Sequence, residues 1–197
     1  MNTLQDLIKK YAAQYKEQVI AWRRHIHSHP ELSGQEKETS FFIEEILKKE
    51  GIHIALDTSG VGKGYYQEIL SYVDLVLLDI KHITDSGYLD LTGSKMTEFR
   101  KFVTCLNESG KKVWIRQVIV PGVHDNMDYI NGLASFLKQI KNIEKVEFLP
   151  YHKLGDEKYT KLGILNPYQD KEAMDTVLCE NLYQEFEAIY YERNQRD

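Results

Sequence analysis

Short apolar segments alternate with helical patterns from residue 52 onward, and this alternation constrains the fold more than any other feature of the chain. Each short segment is followed by a longer one with apolar residues three or four positions apart, as expected for a helix. A repeated strand and helix predicts parallel strands joined by right-handed crossovers, which is an α/β fold. We predict strands at 52–56, 75–80, 113–120 and 146–149, and helices near 64–72, 96–109 and 125–140. The second strand begins with four consecutive apolar residues, which predicts burial on both of its faces.

The first fifty residues have a different pattern, with two helical stripes in succession. Residues 3–28 place apolar side chains three and four positions apart along one long helix. Ser33 and Glu36 then have capping-box spacing at the start of a second amphipathic helix. We therefore predict two domains, an N-terminal helical hairpin at 1–50 and an α/β domain at 51–197.

The composition argues against several classes of protein. The chain has 197 residues and a net charge of -5, whereas a nucleic-acid surface needs clustered Lys and Arg. No apolar run approaches the about 20 residues of a membrane helix, and the N-terminus lacks the apolar stretch of a signal peptide. We therefore expect a cytoplasmic protein. Cys105 and Cys179 fall in separate predicted helices and predict neither a disulfide framework nor a metal site.

Polar residues mark the end of each predicted strand. Sites in parallel α/β proteins are built at the carboxyl ends of the strands, so these residues are candidates for a binding site. They are Asp57, Thr58, Asp79, Lys81, Arg116 and His152. In the alternative interpretation, the two aspartates cap the following helices and His152 is a turn residue. The pattern alone leaves both interpretations open.

Four segments of the α/β part resemble consecutive blocks of one protein family. They are GIHIALDTSG (51–60), DLVLLDIKHI (74–83), KKVWIRQVIVPGVHD (111–125) and NIEKVEFLPYHKLGDEKYTKLG (142–163). In order and spacing they resemble the pyruvate formate-lyase activating enzymes, which are radical S-adenosylmethionine proteins with a partial (β/α)6 barrel. The resemblance implies that this chain is α/β, with a partial parallel (β/α) barrel remnant of about four strands preceded by the helical hairpin.

The resemblance also implies a function and a partner. The family uses a 4Fe-4S cluster to cleave S-adenosylmethionine to a 5′-deoxyadenosyl radical. That radical abstracts hydrogen from a glycine of a glycyl-radical enzyme such as pyruvate formate-lyase. The expected partner of this chain is therefore a glycyl-radical enzyme, and Arg116 would contact its substrate peptide.

The same resemblance implies a cofactor site. By resemblance, S-adenosylmethionine would be surrounded by Asp57, Asp79, Lys81 and His152. Asp57, Thr58 and Asp79 would also hold a monovalent cation beside the carboxylate of S-adenosylmethionine. These roles suit the residue types, because Lys and His can pair with a carboxylate or a hydroxyl while Asp can bind an amino group.

The chain departs from the family at the cluster. The family binds its cluster with three cysteines spaced C-x3-C-x2-C, and that motif is absent from this sequence. Cys105 and Cys179, in separate predicted helices, do not replace it. We therefore expect no cluster in this chain and a protein that is inactive alone. A non-catalytic module that docks a glycyl-radical enzyme is an alternative function.

Residues 19–52 resemble a different family. The segment VIAWRRHIHSHPELSGQEKETSFFIEEILKKEGI resembles the N-terminus of zinc amidohydrolases of the aminoacylase and hippurate-hydrolase type, where it is a structural helical start. A zinc-dependent amidohydrolase or peptidase fragment is therefore another alternative. Of the three histidines in RRHIHSHPE, only His25 and His29 have the i, i+4 spacing that lets two helical side chains converge.

Two further features concern packing. A sheet of about four strands leaves an open parallel edge, which predicts self-association. The tail has apolar residues at helical spacing from Met174 to Ile189, which predicts a helix that packs in the core.

Overall fold

The computed structural model of the chain describes residues 3–32, 35–62 and 64–194. The chain divides into two compact units, Met1–Ile52 and His53–Asp197. The boundary that we predicted from the sequence is after residue 50.

The first unit is the helical hairpin α1 (Leu4–Ser28) and α2 (Lys37–Lys49). Thr3 begins α1 with a capping box, in which its hydroxyl accepts from the N–H of Asp6 and its own N–H donates to the Asp6 carboxylate. Glu36 precedes α2 without a side-chain cap, and the predicted partner Ser33 lies outside the described residues. The helices contact each other where the ring of His25 stacks on Phe42, with 4.0 Å between ring centroids.

The second unit contains one parallel sheet with the strand order β1-β2-β3-β4. The strands are β1 (Ala55–Thr58), β2 (Leu75–Ile80), β3 (Lys112–Ile119) and β4 (Ile143–Pro150). The helices are α3 (Tyr66–Ser71), α4 (Asp85–Thr92), α5 (Thr97–Ser109), α6 (Met127–Leu137), α7 (Asp156–Leu162) and α8 (Thr176–Asn194). Each strand pairs in parallel with the next along the chain. The predicted α/β fold with a parallel sheet is confirmed, and β1 and β4 are its edge strands.

The core lies on one face of this sheet. Successive strand residues point to opposite faces, so one residue in two along β2 and β3 reaches the core. On β3 these residues are Val113, Ile115, Gln117 and Ile119, which are all buried. They pack with buried side chains of α3, α5, α6 and α8, including Leu70, Phe102, Leu133 and Phe186. On the other face of β2, Leu75 is buried but Leu77 and Asp79 are only half-buried, so the expectation that β2 is buried on both faces is wrong for Leu77.

Two helices were not predicted from the sequence. Helix α4 begins at the cap residue Thr84, whose hydroxyl accepts from the N–H of Gly87, and ends at Gly93 in the left-handed conformation. Helix α7 is a short segment between Gly155 and Gly163. None of the helices in the described part of the chain is both long enough and apolar enough to cross a membrane.

The central strands should carry most of the stability of the second unit. Ile115 is 0% exposed, whereas Ile164 is 56% exposed. We expect Ile115→Ala to lower the free energy of unfolding by about 2–4 kcal/mol because it leaves a cavity in the core. Ile164→Ala should change it by less than about 0.5 kcal/mol. Urea unfolding of both variants checks the contrast, and equal losses would contradict this description of the core.

Candidate functional site

Three charged residues of neighbouring strands share the face of the sheet opposite the core. Asp79 of β2 is the register partner of Arg116 of β3. Asp57 of β1 is the partner of Leu77, which lies two residues before Asp79 and therefore points to the same face. The parallel register thus brings together residues that are distant in sequence.

Arg116 joins the two carboxylates. Its Nε and Nη2 atoms lie 2.9 and 2.8 Å from Oδ1 of Asp79, and its Nη2 also donates to Oδ1 of Asp57. Lys81 completes the group, with its Nζ 2.9 Å from Oδ2 of Asp79. We refer to Asp57, Asp79, Lys81 and Arg116 as the charged cluster. Four of the six predicted site residues are therefore in one ion-pair network.

Accessibility differs across the charged cluster. The side chains of Asp79 and Arg116 are each 21% exposed, that of Lys81 is 36% exposed and that of Asp57 is 59% exposed. The pKa of Arg116 is raised, mainly by its hydrogen bond to Asp57 and also by the charge of Asp79, against the opposing effect of burial. Two negative and two positive groups give the charged cluster no net charge. Such an arrangement suits a zwitterionic ligand, because an ammonium group can bind the carboxylates while a carboxylate binds Lys81 or Arg116.

Thr58 is oriented differently from the charged cluster. It follows Asp57 directly in β1, so its side chain points to the other face of the sheet. Its hydroxyl accepts the N–H of Gly60 at 3.0 Å and stabilises the turn after the strand. This geometry differs from a cation site made by the side chains of Asp57, Thr58 and Asp79 together.

His152 lies in the loop after β4, at the same carboxyl end of the sheet. Its side chain is exposed, and its Nδ1 accepts the N–H of Leu154 at 3.4 Å. The preceding residue, Tyr151, is fixed by a hydrogen bond from its N–H to the carbonyl of Ile119 on β3. The contacts found among the described residues do not join His152 to the charged cluster.

A second charged pair, which was not predicted from the sequence, lies on this face. Glu147 of β4 is the register partner of Arg116, and it forms an ion pair with Lys145. The Nζ of Lys145 also lies 5.0 Å from the centroid of the Trp114 ring. The alternation in KVEF (145–148) could have revealed these residues, since every second position along a strand faces the same side.

A buried histidine behind the charged cluster was also missed. His124 is 1% exposed, and its Nδ1 accepts the N–H of Val120 at 3.2 Å. Burial lowers the pKa of His124 to about 4, and the neighbouring His82 acts in the same direction. The carbonyl groups of Val118 and Lys81 and the carboxylate of Asp125 oppose this shift. His124 is therefore neutral at physiological pH.

The thiols of this chain do not fit a 4Fe-4S cluster. Cys105 lies in α5 and Cys179 in α8, and the sequence contains two cysteines where the family uses three. Burial raises the pKa of Cys179, which disfavours the thiolate that a cluster needs. In the described ranges, we found no group of three or more His, Cys, Asp or Glu side chains able to hold a metal ion. His25 and His29 do approach each other, with 4.5 Å between ring centroids.

The fold is similar to those of two solved structures. A domain of pyruvate-formate lyase-activating enzyme from Bacteroides vulgatus ATCC 8482 matches with a TM-score of 0.53 at 19% identity, over 74% of this chain and 86% of that domain. A radical SAM methyltransferase from Sphaerobacter thermophilus matches with a TM-score of 0.53 at 18% identity, over 87% of this chain and 52% of the other. At these identities the likeness concerns the fold alone.

The sequence relatives are more specific. The chain is 50% identical over 131 residues to the pyruvate formate-lyase-activating enzyme of Clostridium pasteurianum, covering 66% of this chain and 55% of that protein. It is 39% identical over 144 residues to the enzyme of the same name from Staphylococcus aureus USA300, covering 68% of this chain and 57% of that protein. The chain thus spans just over half the length of these curated relatives. No protein-family model matches it.

These relatives confirm the predicted resemblance to pyruvate formate-lyase activating enzymes for about two thirds of the chain. The predicted resemblance of residues 19–52 to zinc amidohydrolases stays a prediction.

Removing Arg116 should destabilise the chain because it leaves two carboxylates close together with only Lys81 to compensate. We expect Arg116→Gln to lower the free energy of unfolding at neutral pH by about 1–3 kcal/mol. Arg100→Gln is the matched control, since it breaks an ion pair with Asp85 in which both side chains are exposed. That control should cost less than about 1 kcal/mol. Urea unfolding measures both, and the same cost for the two variants would contradict the proposed role of Arg116.

The buried His124 should make stability depend on pH. Its pKa is about 4 in the folded chain against an ordinary value of 6.5. Between these values the unfolded chain binds a proton that the folded chain excludes, so stability falls as pH falls through this window. The loss reaches about 3 kcal/mol once pH is below both values.

A variant isolates this contribution from those of other groups. His124→Asn keeps a side-chain acceptor for the N–H of Val120 but cannot be protonated in this range. We expect its unfolding free energy to fall less steeply than that of the wild-type chain between about pH 6.5 and about pH 4. His82, whose pKa is also lowered by burial, is present in both proteins. Identical slopes in urea unfolding would show that His124 is not the buried titrating group.

Proposed function

We propose that the His53–Asp197 unit binds S-adenosylmethionine at the charged cluster, as a relative of the pyruvate formate-lyase activating enzymes. The observation that carries this proposal is the ion-pair network of two carboxylates, an arginine and a lysine on one face of three adjacent parallel strands. The 50% identity to an activating enzyme over 131 residues supports the same assignment.

The charges of the cluster match the amino-acid part of S-adenosylmethionine. Its ammonium group would bind Asp57 or Asp79, and its carboxylate would bind Lys81. Arg116 now satisfies both aspartates, so an incoming cation has to displace it from at least one of them. Asp57 is the more exposed of the two and therefore the easier to release.

A monovalent cation is part of this proposal. Asp57 and Asp79 would hold it in the place of the charge that Arg116 supplies, and Thr58 would contribute through its backbone, since its side chain points to the other face. His152 would close the site from the loop after β4, at the same carboxyl end of the sheet.

We propose binding of S-adenosylmethionine and docking to a glycyl-radical enzyme, and no catalysis. The thiols of this chain do not fit the 4Fe-4S cluster that the family uses, so we propose no radical chemistry for the chain alone. We propose instead that it docks a glycyl-radical enzyme such as pyruvate formate-lyase, with Arg116 contacting the substrate peptide once released from Asp57. This is the non-catalytic form of the activating-enzyme function.

Calorimetric titration of the purified chain with S-adenosylmethionine in potassium buffer tests the proposal. We expect saturable binding that Asp79→Asn and Lys81→Met each weaken by about tenfold, since each removes a charge-assisted contact. The exposed residues Asp170 and Lys158 supply matched controls, because Asp170→Asn and Lys158→Met make the same chemical changes away from the charged cluster. These two controls should bind as tightly as the wild-type chain.

Two outcomes would contradict the proposal. No heat of binding at millimolar S-adenosylmethionine would remove the ligand assignment. Binding that all four variants leave unchanged would move the site elsewhere. Anaerobic iron and sulfide reconstitution is a separate check, and cluster absorbance in the monomeric chain would contradict the restriction to binding and docking.

A further inference from the structure

Four polar side chains pack behind the charged cluster, on the core face of the sheet. They are Gln117, His124 and Tyr129, which are buried, and His82, which is half-buried. We call them the polar core set. Two of its members follow cluster residues directly in the chain, since His82 follows Lys81 and Gln117 follows Arg116.

The polar core set is held together by short contacts. The hydroxyl of Tyr129 donates to Oε1 of Gln117 at 3.0 Å, and Nε2 of Gln117 donates to the carbonyl of Val118 at 2.8 Å. The His124 ring lies 4.6 Å from that of Tyr129 and 5.7 Å from that of His82, centroid to centroid. The set therefore connects the end of β2, the end of β3 and helix α6.

The backbone fixes the protonation form of both histidine rings. Nδ1 of His82 accepts the N–H of Thr84 at 3.2 Å, and Nδ1 of His124 accepts the N–H of Val120 at 3.2 Å. In the neutral ring the proton must then be on Nε2. Nε2 carries no free lone pair in this form, so the two rings do not offer a metal the nitrogens it needs. They act as packing and hydrogen-bonding groups.

The position of His82 depends on a glycine. A Cβ atom built on Gly87, in the first turn of α4, would lie 2.0 Å from Cε1 and 2.2 Å from Nδ1 of the His82 ring. Gly87 also donates its N–H to the capping hydroxyl of Thr84. The ring is thus held between the backbone of α4 on one side and the rings of His124 and Tyr129 on the other, the latter 5.3 Å away between centroids.

We infer that His82 is a positioning residue for the proposed ligand site. Its ring fixes the backbone of the adjacent Lys81, so that the Lys81 ammonium meets Asp79 and is held ready for a ligand carboxylate. The carbonyl of Lys81 lies close enough to the His124 ring to raise its pKa, which places this peptide beside the polar core set. This inference rests on the proposed function for the identity of the ligand but not for the position of Lys81.

A double-mutant cycle between Gly87 and His82 tests the inference. Gly87→Ala forces the His82 ring out of its place, whereas in the His82→Ala background the three ring atoms nearest to the added methyl group are gone. We expect each single variant to weaken S-adenosylmethionine binding by about tenfold, the loss of one charge-assisted contact. The double variant should bind no more weakly than His82→Ala alone.

Two further variants distinguish a specific loss of binding from a general loss of structure. Gly155→Ala is the matched control, since a Cβ at that position meets nothing within 4 Å. It should leave binding unchanged. His82→Asn keeps an acceptor for the N–H of Thr84 in a smaller side chain and should restore most of the affinity that His82→Ala loses. Double and single variants are also compared by urea unfolding, because alanine favours a helix over glycine and Gly87→Ala should stabilise the His82→Ala chain.

A second readout needs no ligand. Reductive methylation with 13C-formaldehyde keeps the charge of Lys81 and gives it an NMR signal, assigned by its absence in Lys81→Met. In the wild-type chain this signal should differ from that of the exposed Lys158, and in Gly87→Ala it should move toward it. A Lys81 signal and an affinity that Gly87→Ala leaves unchanged would overturn the inference, as would losses that add in the double variant.

The two readouts separate the inference from the proposed function. If Gly87→Ala moves the Lys81 signal only when His82 is present, the positioning role stands even where S-adenosylmethionine does not bind. A Lys81 signal that depends on His82, together with no binding of S-adenosylmethionine, would overturn only the assignment of the ligand.

Discussion

The guanidinium of Arg116 between Asp57 and Asp79 is the interaction on which the site depends. Two carboxylates from different strands on one face of a sheet repel each other, and the repulsion grows as they are removed from water. A cation has to lie between them in the folded chain, and Arg116 supplies it from the third strand. The register of β2 and β3, which pairs Asp79 with Arg116, makes this contact geometrically available. The site therefore depends on the sheet, because the same strand register that aligns the buried residues on one face aligns the charged residues on the other.

Much of the fold followed from the sequence. The predicted strand at 75–80 has the observed bounds, and the helix predicted near 96–109 begins one residue later. The predicted first strand is 52–56 but the observed strand is Ala55–Thr58, because Asp57 and Thr58 are polar, as residues after a strand usually are, and yet belong to it. β4 was predicted too short, since Glu144 and Lys145 are two successive charged residues that interrupt the alternation where the register with β3 shifts. Local patterns thus identify buried strands well and half-exposed strands poorly.

The site followed from the sequence only in part. The rule that parallel strands converge at their carboxyl ends selected Asp57, Asp79, Lys81 and Arg116 together. It did not separate Thr58 from them, because the first strand is predicted to end at residue 56, so the alternation of faces along a strand was not applied to Asp57 and Thr58. Nor could it reveal the packing of His82 against Gly87 and His124. That contact is set by how β2, α4 and the turn after β3 meet in space, which no spacing in the chain encodes.

The short first strand makes the β1 side of the site less stable than the side formed by β2 and β3. β2 and β3 are paired on both sides and have buried core residues, whereas in the described chain β1 is four residues long, pairs only with β2 and has no buried residue. Local opening is easiest where few buried contacts oppose it, so amide hydrogen exchange should be fastest along β1 and slowest in the two central strands. Asp57 would then move with β1, while Asp79 of the central strand β2 and Lys81, which follows that strand, stay fixed. A ligand that approaches from the β1 side would contact the mobile carboxylate of Asp57 first and the fixed charges of Asp79 and Lys81 second. Its binding would then stabilise β1.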